Sequence, residues 1–240
     1  EQTEVSRFIA QLAAGSKPEL IHRGEVVRAL YSGCVADSDE AFGLLTDWLK
    51  QNNLYDNALI VVTSDHGEEL MDHGSVGHLT TLYRELVRVP LLVKFPQNRR
   101  AGDTVEDLCQ LSQVGPTMLE TALGSEALPT QLIPLEQSED SPIYLGADVG
   151  RDAVRVQQGD RNYHIHIEGV RMDSLVLSRY FSSTRRLMPI QLFDLEKDER
   201  EVEDLTWQRP GLTLFLSAVL RRNRLAREAV KVQGDDAEKL

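Results

Sequence analysis

The sequence predicts an α/β fold, in which a helix-and-strand body is followed by a smaller antiparallel sheet with a terminal helix. Three observations carry this expectation. Two short aliphatic runs, 58–63 and 89–95, lie among helical patterns. After residue 142 the hydrophobic period falls to two. Pro210 then opens a last stretch of helical periodicity.

Taken in order, Val5, Phe8, Ile9 and Leu12 have helical spacing, and Gly15-Ser16-Lys17-Pro18 ends that segment. Between Glu25 and Lys50 a second helix is predicted, with Val27, Leu30, Tyr31, Cys34, Val35, Phe42, Leu45 and Leu49 along one stripe. Asn52-Asn53 and Asp56-Asn57 supply the turn after it. Residues 58–63 read as a buried parallel strand, and Val89–Phe95 as a second strand closed by Pro96. Thr80–Arg88 predicts a short helix or turn, and 105–112 another strand. Gln113–Leu123 predicts a helix with Pro116 in its first turn, where a missing N–H costs nothing.

Residues 124–142, with three prolines and an acidic run, read as a linker or long loop. The expected division is 1–140 for the α/β portion and 141–240 for the remainder. Val154 and Val156, a Gln158-Gly159-Asp160 turn, and Tyr163, Ile165 and Ile167 predict a hairpin. Ser174–Tyr180 and Pro189–Leu195 are further strand candidates. Glu196–Glu203 is charge-dense and reads as a surface turn. Leu212, Phe215, Leu216, Val219 and Leu220 mark one face of the last helix, and 234–240 a frayed tail. A body with a leading helix and only two or three strands is an incomplete α/β sheet, which is itself a clue.

Composition excludes several function classes. The 240 residues carry a formal net charge of −12, which argues against nucleic acid as a partner. No apolar run reaches the length of a membrane span. The opening Glu1-Gln2-Thr3-Glu4 has neither the basic nor the apolar region of a signal peptide. Cys34 and Cys109 belong to no CxxC or Cys/His cluster, so a Cys-based zinc site is not expected, and each reads as a small buried hydrophobe. His164 and His166 alternate on one strand and read as solvent-facing. Arg221, Arg222, Arg224 and Arg227, late in the last helix, suit its dipole. Arg88 and Lys94 flank the second aliphatic run, and the sequence leaves open whether either reaches a site.

Chemistry concentrates where the first run ends in Thr63-Ser64-Asp65-His66-Gly67. Ligands of open α/β sheets bind beyond the carboxyl ends of strands. Asp65 and His66 there offer one oxygen and one nitrogen, and Gly67 lets the backbone turn at once. That suits half of a divalent metal site. On spacing alone, Asp65 as a helix cap with His66 as a polar loop residue is the more ordinary reading. A His-Glu-x-x-His zinc motif is excluded, because Gly67 and Leu70 stand where the glutamate and second histidine are needed.

The stretch TSDHGEEL, His73-Gly74, Gly77-His78, Leu82-Tyr83 and Arg88-Val89-Pro90 resembles the sulfatase family of the alkaline phosphatase superfamily. Leu30–Leu45 before it, Pro116–Leu119 after it, and the late QLFDLEKDEREVEDL extend the likeness over nearly the whole chain. The resemblance implies part of an alkaline-phosphatase-like α/β sandwich, followed by a small antiparallel sheet with a C-terminal helix. It implies that Asp65 and His66 bind a divalent metal, calcium first, with Mn2+, Mg2+ or Zn2+ if the protein is phosphatase-like. It also implies that His78 contacts the sulfate or phosphate group or the leaving group, and that His73 has a packing or hydrogen-bonding role.

The family's nucleophile motif, Cys/Ser-x-Pro-x-Arg, has no counterpart here. Cys34 precedes Val-Ala-Asp and Cys109 precedes Gln-Leu-Ser. The expectation is therefore a C-terminal portion of a sulfuric ester hydrolase, inactive alone, whose nucleophile and remaining metal ligands lie in a missing N-terminal part of the same protein. Its substrate would be an anionic sulfate ester. Phosphomonoester, phosphodiester or phosphonate hydrolysis, phospho-group transfer, or a non-catalytic role are the alternatives. By resemblance the compartment is periplasmic, secreted or lysosomal.

Overall fold

The structure is a computed structural model, and it describes residues 20–78, 81–124, 142–149, 165–182 and 189–237. The expected first helix around Val5–Leu12, most of the expected linker, His164 and the Gln158-Gly159-Asp160 turn lie outside these residues. The described residues fall into two compact units. One contains 20–78 and 88–124, and the other contains 81–87 and everything from 142 onward.

The first unit begins with helix α1, Leu20–Gln51. It ends as its two asparagines dictate. Asn53 takes a left-handed φ of 56°. The N–H of Leu54 then donates to Leu49 O at 2.9 Å, and that of Asn53 to Lys50 O at 3.1 Å. This crossed pair satisfies carbonyls the helix itself leaves open. Of the predicted stripe, Val27 is buried, whereas Leu30, Tyr31, Val35 and Leu45 are exposed. Cys34 is exposed as well and Cys109 is partly so, which corrects the expectation that both are buried. The helix forms as its period predicts. Periodicity alone does not say that another element covers the stripe.

Strands β1, Ile60–Thr63, and β4, Leu91–Lys94, pair antiparallel, from Ile60 opposite Lys94 to Thr63 opposite Leu91. The expected parallel strand is thus corrected in its pairing. A continuous aliphatic run reports burial and is blind to strand direction. Between these two strands the chain makes a small ribbon, β2 (Glu69–Leu70) with β3 (Val76–Gly77). Helix α2, Arg84–Val87, follows, grouped with the second unit. The predicted strand over 105–112 does not form. That segment is irregular and leads through a tight turn at Leu111–Gln113 into helix α3, Val114–Leu123, with Pro116 in its first turn.

Lys94 is settled by the register. It lies opposite Ile60, at the end of β1 away from Thr63. Its ammonium donates to the carbonyls of Tyr55, Asp56 (3.0 Å) and Ala58 (3.0 Å), and lies 4.7 Å from the Tyr55 ring centre. It pins the turn that feeds β1.

The second unit is a four-stranded antiparallel meander, β5 (Ile143–Val149), β6 (Ile165–Met172), β7 (Leu175–Ser182) and β8 (Ile190–Asp194), in that spatial order. Helix α4, Pro210–Ala237, packs on one face. Val170, Leu177 and Leu192 from the sheet meet Leu216 and Leu220 in a fully buried cluster. Phe215, expected on that face, is exposed. Its position does not align with the Leu216–Leu220 row. On β6, His166 is partly exposed, and its Nε2 lies 3.9 Å from the buried Glu168. The segment at α2 also packs on this unit. Leu82 is buried, Tyr83 and Phe193 have ring centres 6.1 Å apart, and Arg84 N donates to Glu201 at 2.6 Å. The charged turn after β8 is mostly exposed, with Glu201 buried. Among the described residues no helix is long and apolar enough to cross a membrane.

Candidate active site

The site forms where β1 ends and the β2–β3 ribbon begins. Thr63 closes the strand, and Ser64 holds the exit by donating from Oγ to His66 O at 2.6 Å. The backbone N–H of His66 donates to Asp65 Oδ1 at 3.0 Å, so the carboxylate folds back towards the imidazole. Asp65 Oδ2 lies 3.8 Å from His66 Nε2.

The tautomer of His66 follows from its other nitrogen. Nδ1 lies 2.8 Å from Gly67 O. A carbonyl only accepts, so the hydrogen is on Nδ1 and Nε2 is left towards Asp65. An imidazole that ligates a metal commonly gives its second N–H to a backbone carbonyl in this way. The Asp65 side chain is 86% exposed and that of His66 43%, so both donors are accessible.

The ribbon brings His78 to the same place. Its turn runs through Met71 (φ 75°) and Gly74 (φ 81°), and Met71 N donates to Ser75 O at 2.8 Å. Asp72 in the turn is bound by Arg28 of α1 at 2.9 Å. Burial pushes the Asp72 carboxyl up, but the Arg28 guanidinium outweighs it and holds the group below its ordinary value. His73 is half-buried within the turn and makes interactions of its own.

The His78 ring stacks on the His66 ring with centres 4.2 Å apart and planes 30° apart. Its Nδ1 lies 3.0 Å from Glu68 Oε2. Donor atoms of His66, Glu68 and His78 all lie within 4.8 Å of one another. His66 and His78, both singled out in the sequence, are thus brought together with Glu68, while Asp65 stands beside His66 but outside this cluster, its Oδ2 3.8 Å from Nε2. Glu68 is the residue that sequence reasoning missed. A cross-strand signal was present, because Glu68 and His78 flank a short ribbon centred on a His-Gly turn. Lys94 is directed elsewhere, as described above.

The sequence profile of the sulfatase family matches residues 5–125, about half of the chain. The chain belongs to the sulfatase family. It is similar to the multifunctional alkaline phosphatase superfamily protein PehA of Trinickia caryophylli, with 38% identity over 109 residues, covering 44% of this chain and 21% of PehA. It is also similar to arylsulfatase K of Canis lupus familiaris, with 26% identity over 198 residues, covering 81% of this chain and 36% of the relative. Among solved structures, YidJ from Bacteroides fragilis superposes with a TM-score of 0.62 at 22% identity, over 80% of this chain and 41% of YidJ. That likeness establishes the fold, an alkaline-phosphatase-like α/β architecture with the antiparallel sheet and C-terminal helix. The chain spans well under half of each of these proteins.

Proposed function

We propose that this chain supplies one side of a metal-dependent sulfatase-like active site that hydrolyses sulfate esters. The observation that carries the reading is that His66, at the end of β1, has Asp65 beside it and the His78 ring stacked on it, in a chain of the sulfatase family. Asp65 and His66 would hold a divalent cation. The fit rests on the His66 Nδ1 bond to Gly67 O, which leaves Nε2 beside a carboxylate oxygen. Oxygen donors favour Ca2+, our first choice, and the imidazole also accommodates Mn2+, Mg2+ or Zn2+. When bound, such a cation offsets the charge of the anionic ester and helps activate a hydroxyl-type nucleophile.

His78, 44% exposed beside His66, is placed to contact the ester group. From there it stabilises charge developing on the ester oxygens or protonates the departing alkoxide. The nucleophile and the remaining metal ligands would come from polypeptide outside this chain, which is why the 240 residues alone are expected to be inactive.

Phosphoester chemistry on the same fold is the second reading, and the likeness to PehA, named as a multifunctional superfamily protein, favours it. One experiment separates them. The full-length protein is titrated calorimetrically with Ca2+, Mn2+ and Zn2+, then assayed on nitrophenyl sulfate and nitrophenyl phosphate. Asp65→Ala and His66→Ala should each weaken metal binding at least tenfold. His78→Ala should lower turnover by about 100-fold or more with an unchanged melting temperature. Wild-type metal affinity in Asp65→Ala, or full turnover in His78→Ala, removes that residue from the site.

A further inference from the structure

We propose that Glu68 is a positioning residue for His78, selecting which ring nitrogen the histidine presents to a bound anionic ester. The proposal rests on the reading of His78 given above. Two independent observations place the pair together. In the ribbon, Glu69 pairs with Gly77 and Leu70 with Val76, so Glu68 and His78 are the next cross-strand partners outward. The side chains then meet, Nδ1 to Oε2, at 3.0 Å. The carboxylate lies over Gly77, with Oε1 3.8 Å from the point where a Cβ would stand, so the approach is open on that side.

An imidazole has two inequivalent nitrogens, and a ring held only by stacking can turn over and exchange them. Stacking on His66 fixes the plane of the His78 ring but not its edge. The Glu68 bond breaks that two-fold ambiguity. An ionised carboxylate only accepts, so the shared hydrogen sits on Nδ1 and Nε2 is the atom left for a ligand. As a stability contact the pair counts for little, because His78 is 44% and Glu68 26% exposed. Its consequence is orientation, where a small angular error lowers turnover more than binding.

The test uses the full-length protein with histidine-selective ring-nitrogen labelling, recorded by NMR at alkaline pH where imidazoles are neutral. His78→Ala assigns the signal. The wild type should show His78 as the Nδ1–H tautomer. Glu68→Gln keeps an acceptor and should retain that signature, whereas Glu68→Leu should lose it. On nitrophenyl sulfate, Glu68→Leu should lower kcat by about 10- to 100-fold with KM within about twofold, and Glu68→Gln should recover most of the loss. An unchanged His78 tautomer in Glu68→Leu, or equal kcat losses in the two Glu68 variants, overturns the proposal. The NMR arm needs no substrate. Failure of the sulfatase reading would show instead as absent wild-type turnover with the tautomer pattern intact.

Discussion

His66 and Asp194 show how a single neighbour sets what a side chain can do. At His66 one backbone carbonyl decides the tautomer and turns Nε2 towards Asp65. At Asp194 the Lys197 ammonium, 2.6 Å away, together with a Ser174 hydrogen bond, holds the carboxyl below its ordinary value. The sign of the linkage is definite. A depressed folded-state value means stability that is present above the unfolded carboxylate value and is lost as pH falls through the folded one. The difference in urea midpoint between wild type and Lys197→Met should therefore be full near neutrality and should shrink as pH falls below the ordinary carboxylate value, vanishing only once Asp194 is protonated in the folded state. A difference that grows on acidification would contradict the ion pair. Asp65 and His66 were legible as candidates in the sequence because strand end and glycine are local, and His78 was legible through the family resemblance. Glu68 was not, because its partner is ten residues away across a turn whose register only the folded ribbon fixes.

At the scale of elements, the β2–β3 ribbon is two residues wide on each side and depends on its turn. Gly74 sits at φ 81° with nothing near the position of a Cβ, so its requirement is purely conformational. Gly74→Ala should cost about 1 kcal/mol by forcing a left-handed alanine. It should also loosen the Glu68–His78 register, seen as faster amide exchange at Met71, whose N–H donates to Ser75 O, and at Gly77, which pairs with Glu69. Wild-type exchange at those amides would show that the turn does not hold the ribbon. Lys94 acts on the opposite end of β1. Lys94→Met should destabilise the protein by about 1–2 kcal/mol, through loss of its carbonyl contacts, without changing metal affinity. A change in metal affinity would refute its placement away from the site. The elements themselves were mostly readable. Period 3.6 gave α1 and α4, and alternation with turn residues gave β7 and β8. The segment 105–112 misled, because hydrophobic content without a pairing partner does not make a strand.

In the molecule as a whole, the second unit is the more thoroughly packed, and Gly169 marks how closely. A Cβ there would stand 3.1 Å from Leu177 O and 3.3 Å from Leu82 Cδ1. The conflict is steric rather than conformational, since a backbone carbonyl cannot swing aside. Gly169→Ala should cost about 1–3 kcal/mol in chemical denaturation. Gly33→Ala on α1, where nothing lies within 4 Å, should be neutral or slightly stabilising. Equal effects at the two glycines would mean that Leu82 does not seat against the sheet.

By itself the sequence determined the family, the α/β class with its terminal helix, and Asp65, His66 and His78 as candidates, because each is written in local periodicity or in a contiguous motif. Tertiary structure alone decided the antiparallel pairing of β1 with β4, the exposure of Cys34, the placing of Lys94 away from the site, and the meeting of Glu68 with His78. Each of these depends on which distant segment lies alongside, and a hydrophobic pattern encodes how much a segment must bury without naming the surface that buries it.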